Sequence, residues 1–261
     1  SRAVKPGGGW VAALAWFALA GAPTASSAAD RVVSLNLCAD QMLVLLAPGK
    51  IAALSQLSRD PALSHVAAAA RHYPQVRASA EAVLALHPDL VLTTRYGAQT
   101  TVALLERHGV PVHRLDLPED FAGIERLTRD SAQALGVPDR ADALIERMRA
   151  VLAAVRPWAR TTTAIAWEPR GYTAGRATLM GAVLRAAGLT DAATGQRMGT
   201  EALLRHPPDL LIVPDTPAFP SLATDMLDAP ALRAIPRRGL PPALTLCAGP
   251  FTAQAVARLA P

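Results

Sequence analysis

The sequence predicts an α/β protein of two similar lobes, each with a parallel sheet, joined by one long α-helix. Three observations predict it. The first is a repeated phrase. Glu81-Ala82-Val83-Leu84-Ala85-Leu86-His87-Pro88-Asp89-Leu90-Val91-Leu92 returns 120 residues later, without a gap, as Glu201-Ala202-Leu203-Leu204-Arg205-His206-Pro207-Pro208-Asp209-Leu210-Leu211-Ile212, with six of twelve positions identical. In each copy a short helix starts with a glutamate, where the positive end of the helix dipole favours a carboxylate. A proline closes the helix. Asp-Leu then enters an apolar run short enough for a buried strand. So long a period is not that of a solenoid; it marks two related lobes, against the competing explanation that a common α/β connection recurs by chance. The second observation is alternation of strands with helices, the pattern of a parallel sheet covered on both faces. The third is the stretch from Pro138 to about Val155. Its Ala141, Leu144, Ile145, Met148, Val151, Leu152 and Val155 share one helical face. An ordinary core helix has the same pattern; position between the lobes favours a strut.

In chain order, Arg31–Leu37 is β-branched and reads as the first strand, with Cys38–Gln41 a turn into a helix at Met42–Leu46, closed by Pro48-Gly49. Ile51–Ser55 is the second strand, and a loop runs from Arg59 through Pro74. The first repeat copy ends in strand Leu90–Thr93. A polar loop, Thr94-Arg95-Tyr96-Gly97, leads to helix Gln99–Arg107 and strand Val110–Leu115. Phe121–Leu135 is helical, and Pro138 suits the first turn of the strut. Thr161–Trp167 opens the second lobe as a strand. A loop over Glu168–Thr173 and a helix over Leu179–Ala187 follow, the helix ended by Gly188. After the second copy come a proline-rich loop, Pro214–Pro220, a last strand, Pro242–Leu246, and a last helix, Phe251–Leu259. The expected division is 1–29 export signal, 30–117 N-terminal lobe, 118–160 helical connector and 161–261 C-terminal lobe.

The chain has 261 residues, 51% hydrophobic, enough for two cores. Of 26 basic residues only Lys5 and Lys50 are lysines; the arginines are scattered among acids, and aromatics are 4%. Neither a nucleic-acid arm nor a base-stacking platform fits that. Arg2 and Lys5, the apolar stretch Trp10–Ala22 and the small residues Ser26–Ala29 read as an export signal cleaved before Asp30. The apolar stretch is short for an uncleaved anchor. The chain lacks an initiating Met, and little follows its last helix, so its true start and C-terminus are left open. The mature protein is expected outside the cytoplasm.

Chemistry is narrowed by what is missing. No Gly-x-Gly-x-x-Gly follows the first strand, and no Walker loop, Gly-x-Ser-x-Gly or His-Glu-x-x-His occurs. The six histidines form no ligand set; His87 and His206 close the repeat helices, where the dipole favours them. Neither a resident metal nor a cofactor is expected. What remains is a set of loops at the C-terminal ends of strands, where ligands settle in open α/β sheets. They carry Asn36, Cys38, Asp40, Arg59, Arg95, Tyr96, Trp167, Glu168, Arg170, Tyr172, Phe219 and Phe251. Aromatics offer flat apolar area and arginines bidentate contacts to carboxylate or phosphate. Together they suit a large, polar-decorated ligand. Cys38 and Cys247 are the only cysteines. In an oxidising compartment a disulfide between them is one reading; two buried thiols and two ligand-contacting thiols are the others.

An exported two-lobed chain with Arg31-Val32-Val33-Ser34-Leu35 as first strand, a Glu-x-(Val/Leu)-Leu-x-x-x-Pro-Asp-Leu phrase in each lobe and a long helix between them resembles the periplasmic binding proteins of vitamin B12 and ferric-siderophore ABC importers. The resemblance covers Arg31 to Leu259, and the Glu81 phrase is its most specific piece. It implies two Rossmann-like lobes on a rigid helical connector, a cleft for a metal chelate, and capture without chemistry. It further implies delivery by a periplasmic monomer to an inner-membrane ABC permease dimer. Glu81 and Glu201 match the paired surface glutamates that meet arginines on the two permease subunits. Corrinoid, siderophore and heme all remain open as ligand. A Rossmann-like enzyme and a signalling ectodomain are the rival readings. The candidate ligand contacts are Asn36, Cys38, Arg59, Arg95, Tyr96, Trp167, Arg170, Tyr172 and Phe251.

Overall fold

The computed structural model describes residues 3, 29–168, 171–193, 197–215 and 230–261. Arg170, Phe219, most of the proline-rich loop and nearly all of the expected export segment lie outside these residues.

The first lobe is a five-stranded parallel sheet in the order β3-β2-β1-β4-β5. Its strands are β1 (Val32–Ser34), β2 (Ile51–Ser55), β3 (Gln75–Val76), β4 (Leu90–Thr94) and β5 (Val112–Leu115). Helices α1 (Leu37–Leu46), α2 (Ala67–Ala70), α3 (Ala80–Leu84) and α4 (Gln99–Arg107) connect them. The central strands are continuous apolar runs because helices cover both faces; Val32, Val33, Val91 and Leu92 are fully buried. Two helices follow, α5 (Phe121–Ala134) and α6 (Pro138–Ala154). The second lobe has β6 (Thr162–Glu168), β7 (Tyr172–Thr173), α7 (Leu179–Ala186), β8 (Leu189–Asp191), α8 (Thr200–Arg205), β9 (Leu210–Pro214), β10 (Arg237–Leu240) and α9 (Ala253–Leu259). Its sheet runs β10-β9-β6-β7, with β8 also on β6, and only the short β6–β7 pair is antiparallel.

The repeated Asp has one task in both lobes. Asp89 Oδ2 accepts from the backbone N–H groups of Asp30 and Arg31, at 3.0 and 2.9 Å, just before β1. Asp209 Oδ2 accepts from Thr163 N and Oγ1, both at 2.8 Å, at the start of β6. These bonds hold the Asp209 carboxyl below the usual carboxylate range. Each aspartate therefore pins the entry of a central strand against its partner, and Leu90 lies opposite Val32 as Leu210 lies opposite Ala164.

Two expectations change. Cys38, Ala39, Asp40 and Gln41 belong to α1 and are not a turn. Asn36 is the N-cap, its Oδ1 accepting from Ala39 N at 3.1 Å, so the helix starts as soon as β1 ends. The last strand is Arg237–Leu240, while Pro242–Leu244 is a 3-10 turn. Two consecutive prolines, Pro241 and Pro242, give no N–H to a ladder. Arg238 tolerates the edge position because its guanidinium lies over the Trp158 ring, 5.3 Å from the centroid, and donates to Ala260 O.

Helix α6 carries packing from one lobe to the other over about 25 Å. Near its start, Leu144 and Ile145 join Val32, Leu43, Leu46 and Leu135 of the first core. Met148 meets Ile124 and Ala253. Leu152, with Val155 just beyond the helix end, packs against the second core, which includes Leu184, Val256 and Leu259. Ile145 is 1% exposed. Ile145→Ala is expected to lower unfolding free energy by about 2–4 kcal/mol through lost burial and a residual cavity. Glu146→Ala, on the exposed face, is expected to shift it by less than about 0.5 kcal/mol. Urea unfolding of both variants checks the pair.

Candidate functional site

In the first sheet, chain order reverses between β1 and β4, so the crevice beyond their C-terminal ends is the place for a ligand. Its innermost part is already filled by Asn36. While Oδ1 caps α1, Nδ2 donates to Thr93 Oγ1 at 3.0 Å and Thr94 Oγ1 at 3.2 Å. Gly97 closes over the same amide; a Cβ there would lie 2.7 Å from Asn36 Nδ2. Ala98 follows with φ of 49°, left-handed backbone that costs a residue with a Cβ some strain. The loop after β4 is thus held from below, and Tyr96 at its tip is 76% exposed.

Beside this loop lies an open groove of about 600 Å³, within the range of small-molecule sites. Arg95 and Tyr96 supply one wall. Asp116, Leu117 and Pro118, after β5, supply the next, and Asp120, Arg126 and Asp130 of the α5 region the rest. Arg95 Nη2 donates to Asp116 Oδ1 at 2.6 Å, and that bond raises the Arg95 pKa further. Asp120 caps α5 by accepting from Gly123 N at 2.6 Å. A smaller hollow adjoins the groove, sharing Asp116, Leu117, Pro118 and Leu127, and adds Cys38, Met42 and Thr94 from the first lobe and Ala248 from the second. The groove therefore leads to the seam between the lobes.

At that seam Cys38 and Cys247 form a disulfide, with Cα atoms 5.1 Å apart. Leu37, Leu45 and Leu63 of the first lobe pack into the second lobe's core with Leu240, Leu244 and Phe251. The His65 ring stacks on Phe251, centroids 4.6 Å apart and planes 14° from parallel. Burial lowers the His65 pKa, favouring the neutral ring.

The candidate ligand contacts are thus dispersed. Arg95 and Tyr96 line the groove. Cys38 lines the adjoining hollow, but as half of a disulfide. Asn36 sits beneath the loop with its amide committed. Arg59 is half-buried and donates to Tyr73 O at 2.6 Å. Trp167 is 4% exposed in the second lobe's apolar interior, with Ile165, Met198 and Leu211. Phe251 is equally buried beneath His65. Tyr172 is 45% exposed on the second lobe, with the Arg197 guanidinium 5.0 Å from its ring centroid. Glu81 and Glu201 are exposed in the first turns of α3 and α8.

Sequence reasoning passed over Leu57, Leu117 and Leu246. They are 51%, 53% and 56% exposed and follow β2, β5 and β10. With Tyr96 they put four large apolar side chains beyond strand ends, and Tyr172 adds a fifth exposed one on the short strand β7. The same strand-end rule that found Arg95 would have found Leu117.

Asp40 is fully buried on α1, accepting from Ser55 N at 2.8 Å and bonded to Ser55 Oγ at 2.5 Å. Burial pushes its pKa up from 3.8 to about 6, while bonds to Ser55 and Ser34 pull the other way. Below pH 3.8 the carboxyl is protonated folded or unfolded. As pH rises toward about 6 the unfolded chain has released a proton that the folded one keeps, so this contribution to stability falls with rising pH. Above about 6 the full loss stands, roughly 3 kcal/mol. Asp40→Asn keeps both bonds, with Nδ2 donating to Ser55 Oγ. It is expected to match the wild type in urea unfolding at pH 4 and exceed it by a few kcal/mol at pH 7.5. A difference independent of pH would refute the assignment.

Comparison with known proteins gives the following. The family model described as periplasmic binding protein matches residues 32–236. A cobalamin-binding protein of Halobacterium salinarum is 27% identical over 224 residues, which are 80% of this chain. The chain spans only 58% of that relative's length. Among solved structures, an apo periplasmic heme-binding protein from Roseiflexus sp. RS-1 superposes with a TM-score of 0.72 at 27% identity, covering 88% of this chain and 96% of that one. A periplasmic heme-binding protein from Pseudomonas aeruginosa gives 0.69 at 26%, covering 88% and 91%.

Proposed function

The chain belongs to the periplasmic binding protein family, and we propose that it captures a metal-chelate ligand outside the cytoplasm and hands it to an ABC importer. It is a binding protein, not an enzyme. The observation that carries the ligand reading is the groove at the C-terminal edge of the first sheet, with the exposed Tyr96 ring beside a charged rim. A flat apolar body stacks on such a ring and on the neighbouring Leu117, while its polar substituents meet Arg95 and Arg126. The ligand class is a corrinoid, a heme or a ferric siderophore. The exposed leucines and tyrosines at the strand ends favour the two macrocycles, and the names of the cobalamin- and heme-binding relatives agree with that preference. Export by residues 1–29 and action as a monomer complete the reading.

Titration of the purified protein with cyanocobalamin, hemin and a ferric trihydroxamate, followed by quenching of Trp158 and Trp167 fluorescence, tests it. Tyr96→Ala and Arg95→Ala are each expected to weaken binding about tenfold, as loss of a contact worth more than 1 kcal/mol does. Trp167→Phe is expected to leave affinity unchanged, because the ring is buried away from the groove. Wild-type affinity in Tyr96→Ala would remove the groove from consideration.

Delivery to the importer rests on Glu81 and Glu201. Each stands exposed at matching places in the repeat, one per lobe, and a dimeric permease offers two matching basic sites. Glu201 also lies 3.8 Å from Arg205, an exposed pair that competes weakly. Glu81→Arg combined with Glu201→Arg is expected to preserve ligand affinity. It should cut transporter-dependent uptake at least tenfold, and more at low salt, where exposed charges are least screened. Undiminished uptake by the double variant would end the docking role.

A further inference from the structure

The disulfide stands on a continuous path from the exposed Tyr96 ring of the first lobe to the buried Phe251 ring of the second. Starting from Tyr96, the loop rests on Asn36 through Thr93, Thr94 and the close approach of Gly97. Asn36 caps α1, whose second residue is Cys38. Cys38 is bonded to Cys247. Cys247 is flanked by exposed Leu246 and by Ala248, which lines the hollow adjoining the groove. Four residues further on, Phe251 stacks on His65, whose N–H donates to Gln41 Oε1 at 2.8 Å, back on α1. The bond thus closes a ring of contacts: α1, Cys38–Cys247, Phe251, His65, and α1 again.

Within that ring the other cross-lobe contacts are apolar packing and one aromatic stack. Such contacts are non-covalent and can repack, whereas the disulfide parts only by reduction or thiol exchange. We propose that Cys38–Cys247 is a positioning bond for ligand capture: it sets the distance between the Tyr96 loop and the Leu246–Phe251 segment, and so the width of the hollow that adjoins the groove. The inference rests on the functional reading above for its consequence, ligand retention, but its geometry stands apart from ligand identity. Its role is local because each sheet also has a face with a core that does not include the bonded cysteines, built on Val33 and Val91 in one lobe and on Ile165 and Leu211 in the other.

Reduction of the wild-type protein by a water-soluble phosphine under native conditions provides the test, with hydrogen exchange read by mass spectrometry before reduction, after it and after reoxidation. Breaking the bond is expected to raise exchange at least tenfold at amides 94–98 and 63–66 and at those of Ala248, Gly249, Phe251 and Thr252. Amides of β1, β4, β6 and β9 should keep their protection, and reoxidation should restore the seam. Cys38→Ser/Cys247→Ser should reproduce the reduced pattern; if that variant does not fold, the reduced wild type decides alone. Unchanged exchange at the seam overturns the proposal. Equal loss across all strands also overturns it, since the bond would then serve global stability only. Whichever of cyanocobalamin and hemin binds the oxidised protein should leave the reduced form at least tenfold faster, with little change in association rate. Equal dissociation rates would overturn the positioning role. If neither binds the oxidised protein, it is the preference for a macrocycle that fails, and the exchange experiment still decides the bond.

Discussion

The pairing of the two central strands in each lobe rests on one hydrogen-bonding arrangement used twice. An aspartate at the head of a strand takes the backbone N–H at the entry of its neighbour: Asp89 for β1, Asp209 for β6. A parallel strand slipped by one residue would turn its side chains to the opposite face. With Leu90 set opposite Val32, β1 ends opposite Leu92, two residues before the end of β4. Only then does Asn36 reach both Thr93 and Thr94, and only then is Tyr96 lifted clear of the sheet. A carboxylate at one edge of the sheet thus determines the shape of the opposite edge, where the ligand groove lies.

Much of this was legible in the chain. Strand Ile51–Ser55 and helix Gln99–Arg107 have the bounds that their periodicity indicates, and the strut begins at Pro138, as a proline in a first turn requires. The start of α1 was hidden because Cys-Ala-Asp-Gln has turn-like residues, and only the Asn36 cap reveals them as a first helical turn. Pairing of Arg237–Leu240 was hidden by its two arginines. One of them, Arg238, covers the Trp158 ring while its backbone joins the ladder.

The site was harder to read for a geometric reason. An aromatic at a strand end faces core or cleft according to one residue of register. Since β6 runs on to Glu168, Trp167 takes the inward position, while Tyr96, two residues past the end of β4, stands outside. Phe251 was placed among ligand contacts, yet it turns inward because His65, from a loop without a readable pattern, covers it. Contacts made between segments far apart in sequence leave no local trace.

The single disulfide has a consequence for how the chain is made. Its cysteines are 209 residues apart. On the proposed export from the N-terminus, the Cys38 thiol reaches an oxidising compartment long before its partner. With no other cysteine in the chain, it cannot mispair internally. It can, however, be captured by a foreign thiol during that interval. Sealing the lobes must therefore be a late event in maturation, after the second lobe has folded and brought Cys247 to the head of α1. The first lobe carries its own sheet and core through that wait, and long-range closure of this kind is slow compared with local folding.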